Sequence, residues 1–225
     1  MMYRTIDREG ESRLEEKKSI FIGHIVPVTS EEEVAAHLER EWAQHREARH
    51  IAYAYVLGAD RLLQRYDDDK EPQRTAGLPI LDVLHGGELT NVLCMVTRYF
   101  GGTLLGTGGL VRNYGGAARE ALKKARVVTM RPYRALRFQV DYGLYGSLEY
   151  QFAERGLPLE EVAYSEEVTI TTLVREEHEG DLRSLLQEMS SGTVKILQSE
   201  ELTLAEEGEK LLRDHGVFDQ SRAWK

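Results

Sequence analysis

Apolar residues recur along this chain in two rhythms, one suited to strands and one to helices. KKSIFIGHIVPV (residues 17–28) and HIAYAYVLG (50–58) are rich in β-branched and apolar residues and predict strands. NVLCMVTRYF (91–100) is apolar at successive positions, the pattern of a central strand covered on both faces. Residues 62–66 add a short strand. Ser30 followed by Glu31, Glu32 and Glu33 has the form of a capping box, with acid in the first turn favoured by the helix dipole. Val34, Leu38 and Trp42 then recur every fourth residue and predict the buried face of a helix to about residue 45. TAGLPILDVLHGG predicts a second helix after Thr75, stopped by Gly86 and Gly87. A third helix is predicted over 108–125, packed through Leu110, Tyr114, Ala117, Ala118, Ala121 and Ala125, whose small side chains permit close approach to a sheet.

Beyond Pro132 the order becomes strand 134–141, helix 144–154, strands 160–164 and 167–175, helix 178–189 and strand 193–199. This βαββαβ succession is the ferredoxin-like arrangement. The expected fold class is therefore α+β, with a first domain over 1–131 and a ferredoxin-like domain over 132–201. A C-terminal tail, 202–225, shows a short helical pattern at 205–213.

Composition narrows the class. The 225 residues are 41% hydrophobic and 30% charged, which suits a soluble globular protein. The charged first residues lack the apolar core of a secretory signal, and no apolar run approaches a membrane span. Cys94, the single cysteine, excludes an intrachain disulfide and reads as a small buried hydrophobe. A cytoplasmic location without membrane contact is expected. The net charge of −9 is unevenly placed: residues 132–225 hold 10 Lys+Arg against 19 Asp+Glu, whereas residues 1–131 balance. Within 97–131 the local charge is +6, which would attract phosphate or an acidic partner.

That basic stretch contains RYFGGTLLGTGGLVRNYGGAAREALKKAR, with seven glycines. It fails the P-loop pattern, because Thr107 stands where the phosphate-binding lysine belongs, and it fails the dinucleotide fingerprint at Val111. Two readings remain. In one, Gly101, Gly102 and Gly106 serve turns while Gly108, Gly109, Gly115 and Gly116 permit packing. In the other, the Gly106–Gly109 turn also presents backbone N–H groups to an anion. The candidate anion or RNA site comprises Arg98, Gly106, Thr107, Gly108, Gly109, Arg112, Arg119 and Lys123. A second polar cluster, Arg49, His50, Asp68, Asp69, Glu71 and Thr75, surrounds the acidic loop RYDDDKEPQRTAG. Its spacing misses the EF-hand, Lys70 and Arg74 compete with a cation, and the histidines have no zinc spacing, so neither metal nor cofactor is expected. No nucleophile elbow or catalytic triad is present.

Three segments in order, ARHIAYAYV, DDKEPQRTAGLPIL and VTRYFGGTLLGTGGLVRNYGGAAREAL, resemble the IMPACT family, specifically its bacterial YigZ-like branch. The resemblance is strong over about 17–125 and looser in the second domain. It implies a first domain similar to the second domain of ribosomal protein S-five, and a second similar to the last domain of elongation factor G. Eukaryotic members regulate translation by binding the activator of a stress kinase, and RNA or ribosome association is the usual proposal for bacterial members. Arg49, His50, Asp68, Asp69, Glu71, Pro72, Thr75, Ala76, Gly77, Arg98, Tyr99, Gly101, Gly102, Gly106, Gly108, Gly109 and Gly115 fit the family pattern. Lys70 and Arg74 replace two usual glycines, so the acidic loop is expected to be built or used differently.

The expected function is a non-catalytic, translation-related regulator that binds RNA or the ribosome through the basic helix and glycine loop. The alternatives are a protein-binding regulator of a translation or stress factor, and an enzyme acting on a phosphorylated small molecule. The last requires the acidic loop, His50 and the Gly106–Gly109 turn to converge on one ligand.

Overall fold

In the computed structural model, which describes residues 1–212, close contacts divide the chain into two units. One comprises residues 1–130 and 206–210. The other comprises 131–205 and residues 211–212.

The first unit is built on an antiparallel sheet of five strands. In chain order these are β2 (Gly10–Glu16), β3 (Ser19–Pro27), β4 (His50–Leu57), β5 (Leu63–Asp67) and β6 (Val92–Tyr99), arranged β2-β3-β6-β4-β5. The continuously apolar β6 lies at the centre, buried along seven of its eight residues, as its pattern predicts. Its two faces meet different layers. Val92, Cys94 and Val96 join Phe21, Ile25, Ala52 and Ala54 beneath α2 (Gly77–Gly86) and α3 (Gly106–Lys124). Leu93 and Met95 join Val26, Ile51 and Tyr55 beneath α1 (Glu31–Gln44). Burial pushes the Cys94 thiol far up, so it acts as core rather than nucleophile.

Helix α1 begins where the capping pattern places it. Ser30 Oγ accepts from Glu33 N at 3.3 Å, and Glu33 reaches back to Thr29 N at 2.6 Å. Its inner face differs from the expected one. Trp42 is 40% exposed, and Glu41 is buried instead, because polar partners await its carboxylate. Thr97 Oγ1 donates to Glu41 Oε1 at 2.6 Å, His24 Nδ1 lies 3.3 Å from Oε2, and His45 Nε2 lies 3.5 Å from Oε1. Burial alone would raise the Glu41 carboxyl, but the bonds from His24 and Thr97 outweigh it and hold it below the usual range. The Glu41 hydrogen bond in turn raises His24, against the opposing effect of burial. A buried carboxylate thus ties α1 to the sheet.

Residues 1–16 form strands that the sequence pattern does not reveal. β1 (Tyr3–Arg8) pairs antiparallel with the start of β7 (Arg126–Val140), and β2 forms an edge of the five-stranded sheet. Both are charged strands with few apolar anchors, chiefly Ile6 and Leu14. Gly10 and Gly23 allow the sheet to approach α3 closely. A Cβ on Gly10 would stand 2.2 Å from Ala121 O, and one on Gly23 would stand 2.6 Å from Ala117 O. Ser12 Oγ donates to Ala117 O at 2.7 Å in the same contact.

The second unit contains the later part of β7, α4 (Tyr142–Glu154), β8 (Leu159–Tyr164), β9 (Val168–Arg175), α5 (Glu179–Met189) and β10 (Lys195–Glu207). Its strands lie in the order β10-β7-β9-β8, the ferredoxin-like order. Leu136, Phe138, Leu148, Phe152, Ile170 and Leu186 form the centre of its core. The helix expected at 205–213 is not formed over its described part. Strand β10 runs through Glu207, Gly208 turns at φ +64, and β11 (Lys210–Leu211) follows. The alternation of Leu202 and Leu204 prevails there, with Leu204 packed beside Tyr133, Ala135 and Leu173. Arg213 lies outside the described residues.

Candidate functional site

Helix α3 is the element on which the anion hypothesis depends. Leu110, Tyr114, Gly115, Ala117, Ala118 and Ala121 are buried, which turns its basic side outward. The helix starts at Gly106, in a left-handed conformation at φ +70, with no side-chain cap and no acid in its first turn. Its first N–H groups therefore lack the side-chain acceptor common at helix starts. A Cβ on Gly106 or Gly108 would meet nothing within 4 Å, so Gly108 lies against open space rather than serving packing. Gly101 departs from the turn reading in the opposite sense. Its Cβ would fall 2.1 Å from the backbone of Lys18, which makes it a close-packing glycine.

Arg112 and Arg119 are exposed and make no ion pair among the described residues, one on each side of the helix midpoint. Lys123 is exposed and donates to Glu120 at 2.6 Å. Thr107 is exposed at the N-terminal turn. Arg126 pairs with Asp7 and belongs to the join with β1.

Arg98 does not join this face. It is 5% exposed, its Nη1 is hydrogen-bonded to Glu71, and its guanidinium lies 5.4 Å from the Phe21 ring centroid and 5.6 Å from that of Phe100. Alternation along β6 turns it away from α3's solvent side and into the second cluster. There Glu71 is the hub: Tyr114 OH donates to its Oε1 at 2.9 Å, and His50 Nε2 stands 3.9 Å away. Burial, followed by the nearby Glu71 charge, raises the Tyr114 phenol strongly, keeping it a donor. His50 Nδ1 donates to the Asp69 carbonyl at 2.6 Å, which fixes the proton on Nδ1. Arg49 lies over Phe100 at 5.4 Å.

The two aspartates hold backbone. Asp68 accepts from Ala76 N at 2.9 Å, Gly77 N at 2.8 Å and Arg74 N at 2.8 Å, capping α2 from a distance. Asp69 Oδ2 accepts from Ile51 N at 2.7 Å, pinning the loop to β4. Thr75 Oγ1 donates to Pro72 O at 2.6 Å. His50, Asp69 and Glu71 lie together around the loop, and the Tyr114 hydroxyl, which the sequence pattern does not place there, completes the cluster from α3.

The same loop settles how Lys70 and Arg74 are accommodated. Both lie in the left-handed region, at φ 67 and φ 63, so the backbone keeps a course suited to glycine instead of being rebuilt. Lys70→Gly and Arg74→Gly should each raise stability by about 0.5–1 kcal/mol, strain relief outweighing the added freedom of the unfolded chain. Denaturant midpoints measure this; a loss of stability in both variants would mean that the side chains make interactions stronger than the strain.

Comparison with known proteins agrees with this architecture. Residues 17–122 match the Impact N-terminal domain, and residues 138–193 match a domain of unknown function. IMPACT family member YvyE of Bacillus subtilis is 36% identical over 198 residues, 88% of this chain and 91% of its own length. IMPACT family member YigZ of Escherichia coli is 32% identical over 187 residues, 82% of this chain and 92% of its own length. A solved structure described only as a crystal structure of a hypothetical protein aligns with a TM-score of 0.57 and 29% identity, covering 88% of this chain and 98% of its own. Among the described residues no helix is long and apolar enough to cross a membrane. With both of its parts matched and relatives above 30% identity along most of its length, the chain belongs to the IMPACT family.

Proposed function

We propose that the chain is a non-catalytic, translation-related regulator that binds RNA, ribosomal RNA included, through the outward side of α3. Family membership supports a regulatory role in general. The observation that favours RNA is the arrangement of α3: Arg112 and Arg119 exposed without ion pairs among the described residues, Lys123 one turn further on, and an uncapped N-terminus at Gly106–Gly109. Residues 112, 119 and 123 share one side of the helix at seven- and four-residue spacing. Phosphates would meet two guanidinium groups along the helix and N–H groups at its start. Binding of this kind draws its affinity from released counterions and tolerates many sequences.

A protein partner is the alternative, and the acidic second unit is the surface that favours it. Such a complex would survive nuclease and high salt. The enzyme reading draws less support, because Asp68 and Asp69 hold backbone N–H groups and Glu71 is buried against Arg98.

The test is cosedimentation with ribosomes and with purified RNA at low salt. The native chain should pellet with both, and Arg112→Glu/Arg119→Glu should remain in the supernatant while melting at the native temperature. Equal pelleting of the variant would remove α3 from the interface.

A further inference from the structure

We propose that Tyr142, Tyr145 and Tyr164 form a recognition site on the second unit for a lysine or arginine side chain, presented by a basic segment of a partner protein. The three rings are brought together by two elements. Tyr142 and Tyr145 are three residues apart on α4 and so share one side of it, while Tyr164 ends β8 beside them. The Tyr142 and Tyr164 rings are near-parallel, 20° apart in plane with centroids 6.4 Å apart. Tyr145 stands edge-on to Tyr164 at 84° and 5.8 Å. Two near-parallel rings with a third edge-on to one of them form an aromatic cluster, whose negative ring faces attract a cation.

Two of the rings are exposed, Tyr145 is half-buried, and all three are held. Tyr142 is 53% and Tyr164 is 62% exposed, values far from those of core aromatics such as Phe138 and Phe152. Tyr142 OH donates to Ser165 O at 2.7 Å, fixing its ring over the β8–β9 hairpin. Tyr164 OH donates to Tyr145 OH at 3.2 Å, and Tyr145 OH donates to Glu149 Oε1 at 3.4 Å. This relay ends on a carboxylate one turn along α4, and it raises the Tyr145 phenol to about 12, the Tyr164 bond first and burial second. The Tyr145 phenol therefore stays a neutral donor toward Glu149. Holding the rings in place before binding lowers the ordering cost of recognition.

Charge selects the class of ligand. Asp141, Glu149 and Glu166 are exposed on the same helix start, helix side and hairpin, and the chain from 132 onward holds 10 Lys+Arg against 19 Asp+Glu. An acidic surround repels phosphate and draws in a basic segment, while the rings supply a local contact that diffuse attraction lacks. Among the described residues, the cation–ring contacts lie on Phe21 and Phe100, and none occupies these tyrosines.

The experiment uses the full chain and a labelled oligolysine peptide, followed by fluorescence anisotropy at low ionic strength and by NMR of the tyrosine rings. The peptide should bind and shift the Tyr142, Tyr145 and Tyr164 ring resonances selectively. Tyr142→Ala/Tyr164→Ala, which changes no charge, should weaken binding about tenfold, and Tyr142→Phe/Tyr164→Phe should retain most of it. Unchanged affinity in the alanine pair would reduce the interaction to general attraction by an acidic surface and overturn the site. So would the absence of ring shifts in the native chain, or the same shifts produced by an RNA oligonucleotide in place of the peptide.

Discussion

Arg98→Ala is expected to destabilise the first unit by about 3–5 kcal/mol, and Glu71→Ala by at least as much, the range for removing one partner of a buried ion pair. The side chains of Arg98 and Glu71 are 6% and 5% exposed, so either change leaves the other charge buried without its counter-ion. The two variants differ in which partners remain. Without Glu71, the Tyr114 hydroxyl and His50 Nε2 are also deprived of their carboxylate, whereas without Arg98 the carboxylate keeps the Tyr114 hydrogen bond. Arg98→Met/Glu71→Leu should be destabilised distinctly less than the sum of the two alanine variants, because no isolated charge remains. Denaturant unfolding of the set measures the coupling. Additive effects would mean that the pair is solvated in solution. The acidic loop is thereby assigned a structural duty: Glu71 is the point at which the loop, β4, β6 and α3 meet.

Gly101→Ala should cost about 3 kcal/mol, the upper end of overpacking penalties. The added carbon would fall 2.1 Å from Lys18 C and 2.2 Å from Ser19 N, both backbone atoms at the start of β3, so no side-chain rotation can relieve it. Its neighbour provides the control. Gly102 has φ +84 and open space around its Cβ position, so Gly102→Ala should be destabilised by only about 1 kcal/mol through backbone strain. Gly108→Ala, in open space within a helix, should be stabilised by about 0.5–1 kcal/mol. Thermal unfolding of the three variants checks the ranking. Equal destabilisation at Gly101 and Gly102 would contradict the steric account.

These glycines show what can be read from the chain and what cannot. Their concentration marks a strand–turn–helix unit, and the helix is legible from Leu110, Tyr114 and the alanines. Which glycine answers a clash and which a dihedral depends on where β3 passes, a long-range fact that local spacing does not contain. Arg98 illustrates the same limit: next to the glycine turn in sequence, it is placed by strand alternation among Phe21, Glu71 and Phe100. Glu41 defeats the helix periodicity because a buried carboxylate with its own hydrogen-bonding partners occupies a position that a hydrophobicity count assigns to its neighbour Trp42. The β1 and β2 strands are too charged to stand out, since their pairing partners rather than their own side chains define them. By contrast, β6, the start of α1 and the βαββαβ order of the second unit are set by local pattern. They are found where that pattern puts them.

Phosphate binding along α3 is measured by the salt dependence of RNA affinity for the native chain and for Arg112→Ala/Arg119→Ala. Log affinity should fall linearly with log salt in the native chain. In the variant the slope should be shallower by about 1.5, since each phosphate that is no longer neutralised reduces it by roughly 0.7–0.9. Identical slopes and affinities in the two proteins would contradict phosphate binding along α3.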